Sequence, residues 1–359
     1  MLAKLLRRPA PNLVGVDIGS HSIKAVLLVK NGNTYKVEAV AVEPTPKGAV
    51  VDHEIQDIEP VGEALRRLVR RLPSKVQAAA MAVAGSSVMT KVIFMDASLS
   101  DDEMMSQIEV EAENLIPHPL DEINLDFERL RTNVNDPSRV DVLLSAARSE
   151  SVEARVAAME IANLDTKIMD IEAYALGRAV AESCRHNSEF AAAKLVGVLD
   201  VGARTTTLSV LEGGEVIYTR EEAFGGEQLN QQVQSAYDMS ADEAERIKVR
   251  NELPETATLD VIGPFQTELL QLLRRTLQLF YTTTGHDSLE GLLLTGGTAN
   301  LDGLAQMLQT ELDYPVEVAN VFAGMKVGND VNKRDKDKYG PALAVATGLA
   351  LRSFGAWQT

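Results

Sequence analysis

The chain has 359 residues, 45% hydrophobic and 24% charged, with a net charge of −17 and a single cysteine, Cys184. That is enough apolar material for two or three cores and excludes a disordered tail, while one cysteine excludes both an internal disulfide and a thiolate zinc cluster and fits a reducing cytoplasm. The acidity argues against unassisted binding to nucleic acid or to an anionic membrane, so a partner is expected to be neutral or basic.

Met1 to Arg8 carries three basic residues but no apolar stretch long enough for a signal peptide, and it is read as a solvated terminus. No segment has the length of a membrane span, so no direct membrane insertion is expected. Residues 13–42 read as a strand meander. Within it, Val14-Gly15-Val16-Asp17-Ile18-Gly19-Ser20 leads into Lys24-Ala25-Val26-Leu27-Leu28: an apolar strand, an Asp-x-Gly turn and a second apolar strand. Gln56 to Leu72 is an amphipathic helix through Ile58, Val61, Leu65, Leu68 and Leu72.

The segment from about 84 to 165 reads as a small unit of its own. It begins with a strand from Val88 to Phe94. Ser100-x-x-Glu103, a capping-box spacing, then opens a helix that runs to about Leu115 and is stopped by Pro117 and Pro119. Strands at Ile123–Leu130 and Val140–Ala147 are joined by a polar turn, Asn133 to Ser138, and precede a helix from about Ser149 to Asn163. From Asp96 to Glu128 there are eleven carboxylates and no Lys or Arg. This run is either a solvated helix face or a docking surface for a basic partner. A strand near Lys167–Ile171 returns to the first core.

The opening pattern then recurs. Gly197-Val198-Leu199-Asp200-Val201-Gly202-Ala203 runs on to Leu208-Ser209-Val210-Leu211, so the chain is read as two related halves. Glycine in such a turn lets backbone N–H groups approach an anion, and the Asp can hold a hydrated divalent cation against it. Two facing turns could clamp a polyphosphate. Phe224-Gly225-Gly226-Glu227 is a glycine turn into a helix. Ser240-x-x-Glu243 caps another helix, which places Glu245 and Lys248 on one face, and a long helix follows from about Leu259 to Thr283. Leu292-Leu293-Leu294-Thr295-Gly296-Gly297-Thr298-Ala299-Asn300 reads as strand, glycine turn and helix start, and bare backbone there admits a flat ring. Two helices rich in small residues, Glu172 to Ala179 and Gly340 to Ala350, each follow one strand block and read either as paired crossover helices of a hinge or as ordinary core packing.

Five elements thus stand in a fixed order: first phosphate loop, first connecting helix, second phosphate loop, adenosine turn, second connecting helix. That order resembles the actin-like ATPase superfamily, which implies an α/β fold of two related halves around a nucleotide cleft, with an FtsA-type 1C subdomain inserted in the first half. The implied division is 1–83 and 166–198 for the first core, with 340–359 returning to it, 84–165 for the inserted subdomain, and 199–339 for the second half, including an insertion at about 225–290.

Val14 to Gly19, Ala112-x-Asn114-Leu115-Ile116-Pro117 with Leu125-Asp126-Phe127, and Asp170 to Leu176 resemble the PilM family, the cytoplasmic actin-like proteins of type IV pilus assembly. Ala162-Asn163-Leu164 departs from it by asparagine for an expected glycine; asparagine tolerates the same left-handed backbone.

The resemblance implies ATP and Mg²⁺ as ligands. Asp17 and Asp200 would hold Mg²⁺ through water, and Gly19, Ser20, Lys24, Gly202 and Thr205 would contact phosphates. Glu245 and Lys248 would reach ribose and adenine, or else form a surface ion pair, while Gly296, Gly297 and Asn300 would line the adenine pocket. Glu172 would orient the attacking water in any hydrolysis, which is expected to be slow at most.

The implied partner is the N-terminal cytoplasmic peptide of a PilN-like inner-membrane protein, seated between the first core and the 84–165 unit, alongside other pilus machinery and with oligomers possible. That places the protein in the cytoplasm, peripheral to the inner membrane. Two other readings stay open: an FtsA-like membrane-associated filament protein, for which Phe354 and Trp357 would be a meagre anchor, and a kinase or ATPase of the same fold.

Overall fold

The structure is a computed structural model and describes residues 13–355 except 74, 117–118, 134–135, 250–251, 255, 329–330, 332–335 and 337–338. The basic terminus 1–8, the Pro117 helix stop and Trp357 lie outside the described residues.

The opening meander consists of β1 (Val14–Ile18), β2 (Ser22–Asn31) and β3 (Thr34–Pro44). A two-strand hairpin follows, β4 (Val50–Val51) and β5 (Glu54–Ile55), and then α1 (Ile58–Val69) and β6 (Ala78–Val83). Helix α1 forms where the apolar spacing requires it: Val61, Leu65 and Leu68 are fully buried, each worth about 1.5–3 kcal/mol. Ile58, at its solvent end, stays 37% exposed.

The chain next leaves the first sheet to build a separate one. It comprises β7 (Val88–Asp96), α2 (Asp101–Leu115), β8 (Ile123–Thr132) and β9 (Arg139–Arg148), with strand order β7-β9-β8, all antiparallel. Met104 and Ile108 of α2 close its core against Met95, Val142 and Leu144. The capping box is present: Ser100 Oγ accepts from Glu103 N, and the Glu103 carboxylate accepts from Ser100 N at 2.8 Å. Helix α3 (Ser149–Ile161) returns to the first body, where Ala158 and Met159 are buried beside α1, and Asn163 takes the expected left-handed turn at φ 57° before β10 (Asp165–Ile171).

The second half repeats this plan. After α4 (Glu172–Cys184) come β11 (Leu195–Val201), β12 (Thr206–Glu212) and β13 (Glu215–Glu222), followed by α5 (Gly226–Tyr237) and α6 (Ala241–Val249). The long helix α7 (Gly263–Thr284) starts four residues later than its apolar pattern predicts, because Thr258–Ile262 form a wide π turn that leaves Leu259 83% exposed. The remaining elements are β14 (Gly291–Thr295), α8 (Leu304–Leu312), β15 (Val316–Val318), β16 (Lys326–Val327) and α9 (Ala344–Arg352).

The repeat extends to topology. In the first sheet, order β10-β6-β1-β2-β3-β16, β1 is antiparallel to β2 and parallel to β6. In the second, order β13-β12-β11-β14-β15, β11 is antiparallel to β12 and parallel to β14. Each half is therefore a meander with two parallel strands added beside its first strand. Strand β16 crosses back to pair with β3.

Helices α4 and α9 form the layer between the sheets, and their small residues are there for contact. A Cβ on Gly15 of β1 would lie 2.1 Å from Ala346 O, and one on Gly348 would lie 1.7 Å from Ala175 O, so α9 touches both β1 and α4 backbone to backbone. A Cβ on Gly177 would meet Val216 of β13 at 2.4 Å, which places α4 against the second sheet. Arg178 of α4 clamps the crossing, donating to Asp170 and to the Gly348 carbonyl at 3.0 Å each. Phe354 packs on Tyr35 at a centroid distance of 5.4 Å, so it belongs to the first core and is no free anchor.

Candidate functional site

Both Asp-x-Gly turns lie at the ends of central strands, and hydrogen bonding shapes each. In the first, Gly19 N donates to Ser22 O and Thr45 Oγ1 donates to Gly19 O at 2.6 Å; Ser20 sits half-exposed on the turn. In the second, Gly202 N donates to Thr205 O at 2.9 Å, where a Cβ would also come within 2.9 Å of that oxygen. The 224–227 turn packs on this second loop: Gly226 N donates to Gly202 O and Glu227 N to Ala203 O. A Cβ on Gly225 would lie 2.6 Å from Ala203 O, so only glycine lets the α5 N-terminus come this close.

Strand register decides the charge. Asp17 stands opposite Lys24 across β1–β2, and Lys24 Nζ lies 2.8 Å from Asp17 Oδ2, with both side chains nearly buried. Asp200 stands opposite Thr207, so the second loop has no lysine of its own, and Asp200 Oδ1 accepts instead from Thr295 Oγ1 at 2.8 Å. Lys24 is thus bonded to Asp17 and acts on Asp200 through its field alone. Burial pushes Asp17 up against the pull of Lys24, with Glu172 adding to the rise. Burial pushes Asp200 up to about 6, opposed by the Thr295 hydrogen bond and reinforced by Glu172 and Asp17. Burial would lower Lys24, but Asp17, Asp200 and Glu172 raise it. Asp17, Lys24, Glu172 and Asp200 therefore form one electrostatic unit with three carboxylates and one ammonium.

Glu172 opens α4 and meets a residue that the sequence did not single out. His53 Nδ1 lies 3.7 Å from Glu172 Oε2. Burial works against the Glu172 carboxylate, but His53, Lys24 and Arg155 hold it below the usual range.

On α6, Glu245 and Lys248 pair at 2.6 Å, Asn230 Nδ2 donates to Glu245 at 2.6 Å, and His21 of the first turn lies 3.7 Å from the same carboxylate. Burial raises Glu245, outweighed by Lys248, Asn230 and His21, so it stays low. Lys248 Nζ would lie 3.5 Å from a Cβ on Gly226, which puts the pair beside the second loop and not on the outer surface.

Gly296 turns at φ 90°, and a Cβ there would lie 2.4 Å from Val201 O, while Gly297 faces open space and Asn300 is exposed. Thr298 Oγ1 donates to Gly202 O, tying this turn to the second loop. Thr45, His53, Thr295, Thr298 and the glycines 225 and 226 complete the site. Thr295, Thr298, Gly225 and Gly226 belong to the glycine-turn motifs of the sequence, which by themselves give them no role, and nothing in the sequence marks His53.

A family model for type IV pilus assembly protein PilM matches residues 15–354. The chain belongs to the PilM family. Its structure superposes on that of a PilM–PilN type IV pilus biogenesis complex with a TM-score of 0.80, at 27% identity over 97% of this chain and all of that one. The ethanolamine utilization protein EutJ from Carboxydothermus hydrogenoformans shares the fold, with a TM-score of 0.56 at 18% identity over 97% and 93% of the two chains. The cell division protein FtsA of Bacillus subtilis (strain 168) is 21% identical over 353 residues, covering 86% of this chain and 78% of FtsA. The fold is that of the actin-like ATPases. Among the described residues of this PilM-family chain, no helix is long and apolar enough to cross a membrane.

Proposed function

We propose that this chain is an ATP-binding scaffold of the type IV pilus inner-membrane assembly complex and that it captures the N-terminal cytoplasmic peptide of a PilN-like membrane protein. The observation that carries the reading is the mirrored pair of Asp-x-Gly loops whose carboxylates, paired with Lys24 and Thr295, act on one another across the cleft. Such a site is under-compensated in positive charge and suits a polyphosphate with a divalent cation. Among the described residues no three acidic or histidine side chains converge as direct metal ligands, so Asp17 and Asp200 would hold Mg²⁺ through water. When bound, Mg²⁺ neutralises charge on the phosphates.

The chain's own groups would do the rest. The Gly19, Ser20, Gly202 and Thr205 segments would supply the two backbone cradles, and Lys24, now bonded to Asp17, would also reach a phosphate oxygen. Glu245 and Lys248 would hold the ribose and base, with Gly296, Gly297 and Asn300 leaving room for the ring. Glu172 is an acceptor poised for a water near the terminal phosphate. His53 lies 3.7 Å from Glu172 and lowers its basicity, which supports slow turnover at most.

The peptide seat is the groove between the first core and the three-stranded sheet, on the sheet face that α2 leaves uncovered. Val92 and Phe94 on edge strand β7 are 47% and 57% exposed there, and Tyr174 of α4 reaches Thr90 at its root. An extended peptide can add to such an edge by main-chain pairing.

The test is Asp200→Ala in the full chain, with binding of Mg²⁺-ATP and of a synthetic PilN-like N-terminal peptide measured by calorimetry. The expected outcome is a folded protein that has lost both. Unchanged Mg²⁺-ATP affinity would overturn the site assignment.

A further inference from the structure

Hairpin β4–β5 places one side chain where three parts of the molecule meet. Its tip residues Asp52 and His53 are both left-handed, at φ 48° and 64°. A two-residue hairpin loop of the type I′ kind needs both central residues in that conformation, which Asp and His tolerate better than most side chains, so the turn aims the imidazole outward from the hairpin tip. Arg155 of α3 donates from Nη2 to the His53 carbonyl at 2.5 Å, from Nη1 to Ser151 O and Oγ, and from Nε to Ala82 O, fixing the hairpin to the root of the three-stranded sheet. Gly85, at φ 68°, stands against the imidazole, since a Cβ there would lie 3.0 Å from His53 Cδ2.

The ring lies between two carboxylates from different parts of the chain. Nδ1 faces Glu172 at the start of α4, and Nε2 lies 2.7 Å from Oε2 of Glu221 on β13, the edge strand of the second sheet, as an ion pair outside hydrogen-bond alignment. A neutral imidazole offers one N–H and could serve only one of them; the charged ring serves both. Burial works against that charge, but Glu172 and Glu221 together push His53 up to about 11, so the ring stays cationic at neutral pH.

We propose that His53 is a positioning residue that latches the two halves: it ties Glu172 of the cleft to Glu221 of the second sheet, so that the cleft cannot open without breaking the His53–Glu221 contact. Its consequence for ligand release rests on the nucleotide reading above, whereas the latch itself is a property of the ligand-free chain. The contact with Glu172 stays within the first body on opening, and the contact with Glu221 does not. Because Arg155 carries the same hairpin, a change at the latch is also felt at the root of the three-stranded sheet.

Glu221→Gln keeps the shape of an edge-strand side chain and removes the charge. His53→Gln removes the cation from both carboxylates, and Glu222→Gln, next along the strand and paired with Arg220 of the same strand at 2.8 Å, is the control for losing a carboxylate and an ion pair that stay within the second sheet. Amide hydrogen exchange at residues 49–56 and 216–222 of the ligand-free full chain reads the latch. Dissociation of a fluorescent ATP analogue with Mg²⁺ reads its effect on the cleft. Glu221→Gln is expected to speed exchange in both segments and to raise the release rate roughly tenfold with association unchanged, as for the loss of one ion pair from the closed state. His53→Gln is expected to match it in release and also to change the hydrolysis rate, because Glu172 is freed. Exchange and release in Glu221→Gln equal to those of the wild type or of Glu222→Gln would overturn the latch. If the wild type binds no analogue, the nucleotide reading fails and the exchange measurement still decides the latch.

Discussion

Asp200 is held where burial opposes its charge, and its folded-state value of about 6 stands above the ordinary 3.8. For a carboxyl raised in this way, the stabilising contribution is fully present below the ordinary value and is lost as pH rises through the folded one. In nucleotide-free protein without Mg²⁺, the charged form at neutral pH therefore costs about 3 kcal/mol, by order of magnitude. Asp200→Asn can still accept from Thr295 and removes that cost. It is expected to be roughly 1–3 kcal/mol more stable than the wild type at pH 7.5, with the gain shrinking from pH 6 downward and gone near pH 4, as measured by urea unfolding across that range. A gain independent of pH would mean that the charge is not what strains the site. The same residue shows how far local pattern reaches. Asp17 and Asp200 are legible because strand, turn and glycine are adjacent in the chain. His53 and Glu221 are not, because their roles arise only when residues far apart in sequence are brought together by the fold.

At the scale of elements, the small-residue helices are the most demanding contact. Helix α9 lies so close to β1 and α4 that carbonyls occupy the volumes that side chains at Gly15 and Gly348 would need. Backbone cannot yield as a flexible side chain can, so Gly348→Ala is expected to cost about 3 kcal/mol or more, or to force α4 and α9 apart. The check is thermal unfolding beside Gly340→Ala, whose Cβ would meet nothing within 4 Å and should be near neutral. Element identity was largely readable from sequence, through the apolar period of α1, the capping box of α2 and the left-handed Asn163. The start of α7 was not. Its apolar pattern continues through Thr258–Ile262, and a π turn shifts the phase there, so Leu259 faces solvent although the helical period counts it as core. The extent of the inserted unit was also hard to read, since α3 follows β9 without a break yet packs in the first core.

For the whole molecule, charge is distributed by body. Helix α2 exposes Asp101, Asp102, Glu103, Glu109 and Glu111, and of these Asp101 is paired with Arg129 at 2.7 Å. These carboxylates point away from the sheet, on the side opposite the proposed peptide seat, so they would act on a partner through their field, and cytoplasmic segments next to a membrane span tend to be basic. Association of such a peptide is expected to slow as salt is raised from 50 to 500 mM while dissociation changes little, measured by stopped flow. An association rate indifferent to salt would return the acidic run to a merely solvated face.

The seating of α9 on β1 also has a consequence in time. The helix that completes the first sheet is made more than 300 residues after the strand it covers. At about 5–20 residues per second, the nascent first half waits roughly 15–65 s with that face bare. During that interval the apolar residues Val26 and Leu28, which end up buried, must be shielded by something other than their final partner. Chaperone dependence should therefore concentrate on the N-terminal half, and slowing translation should prolong its exposure instead of helping it fold.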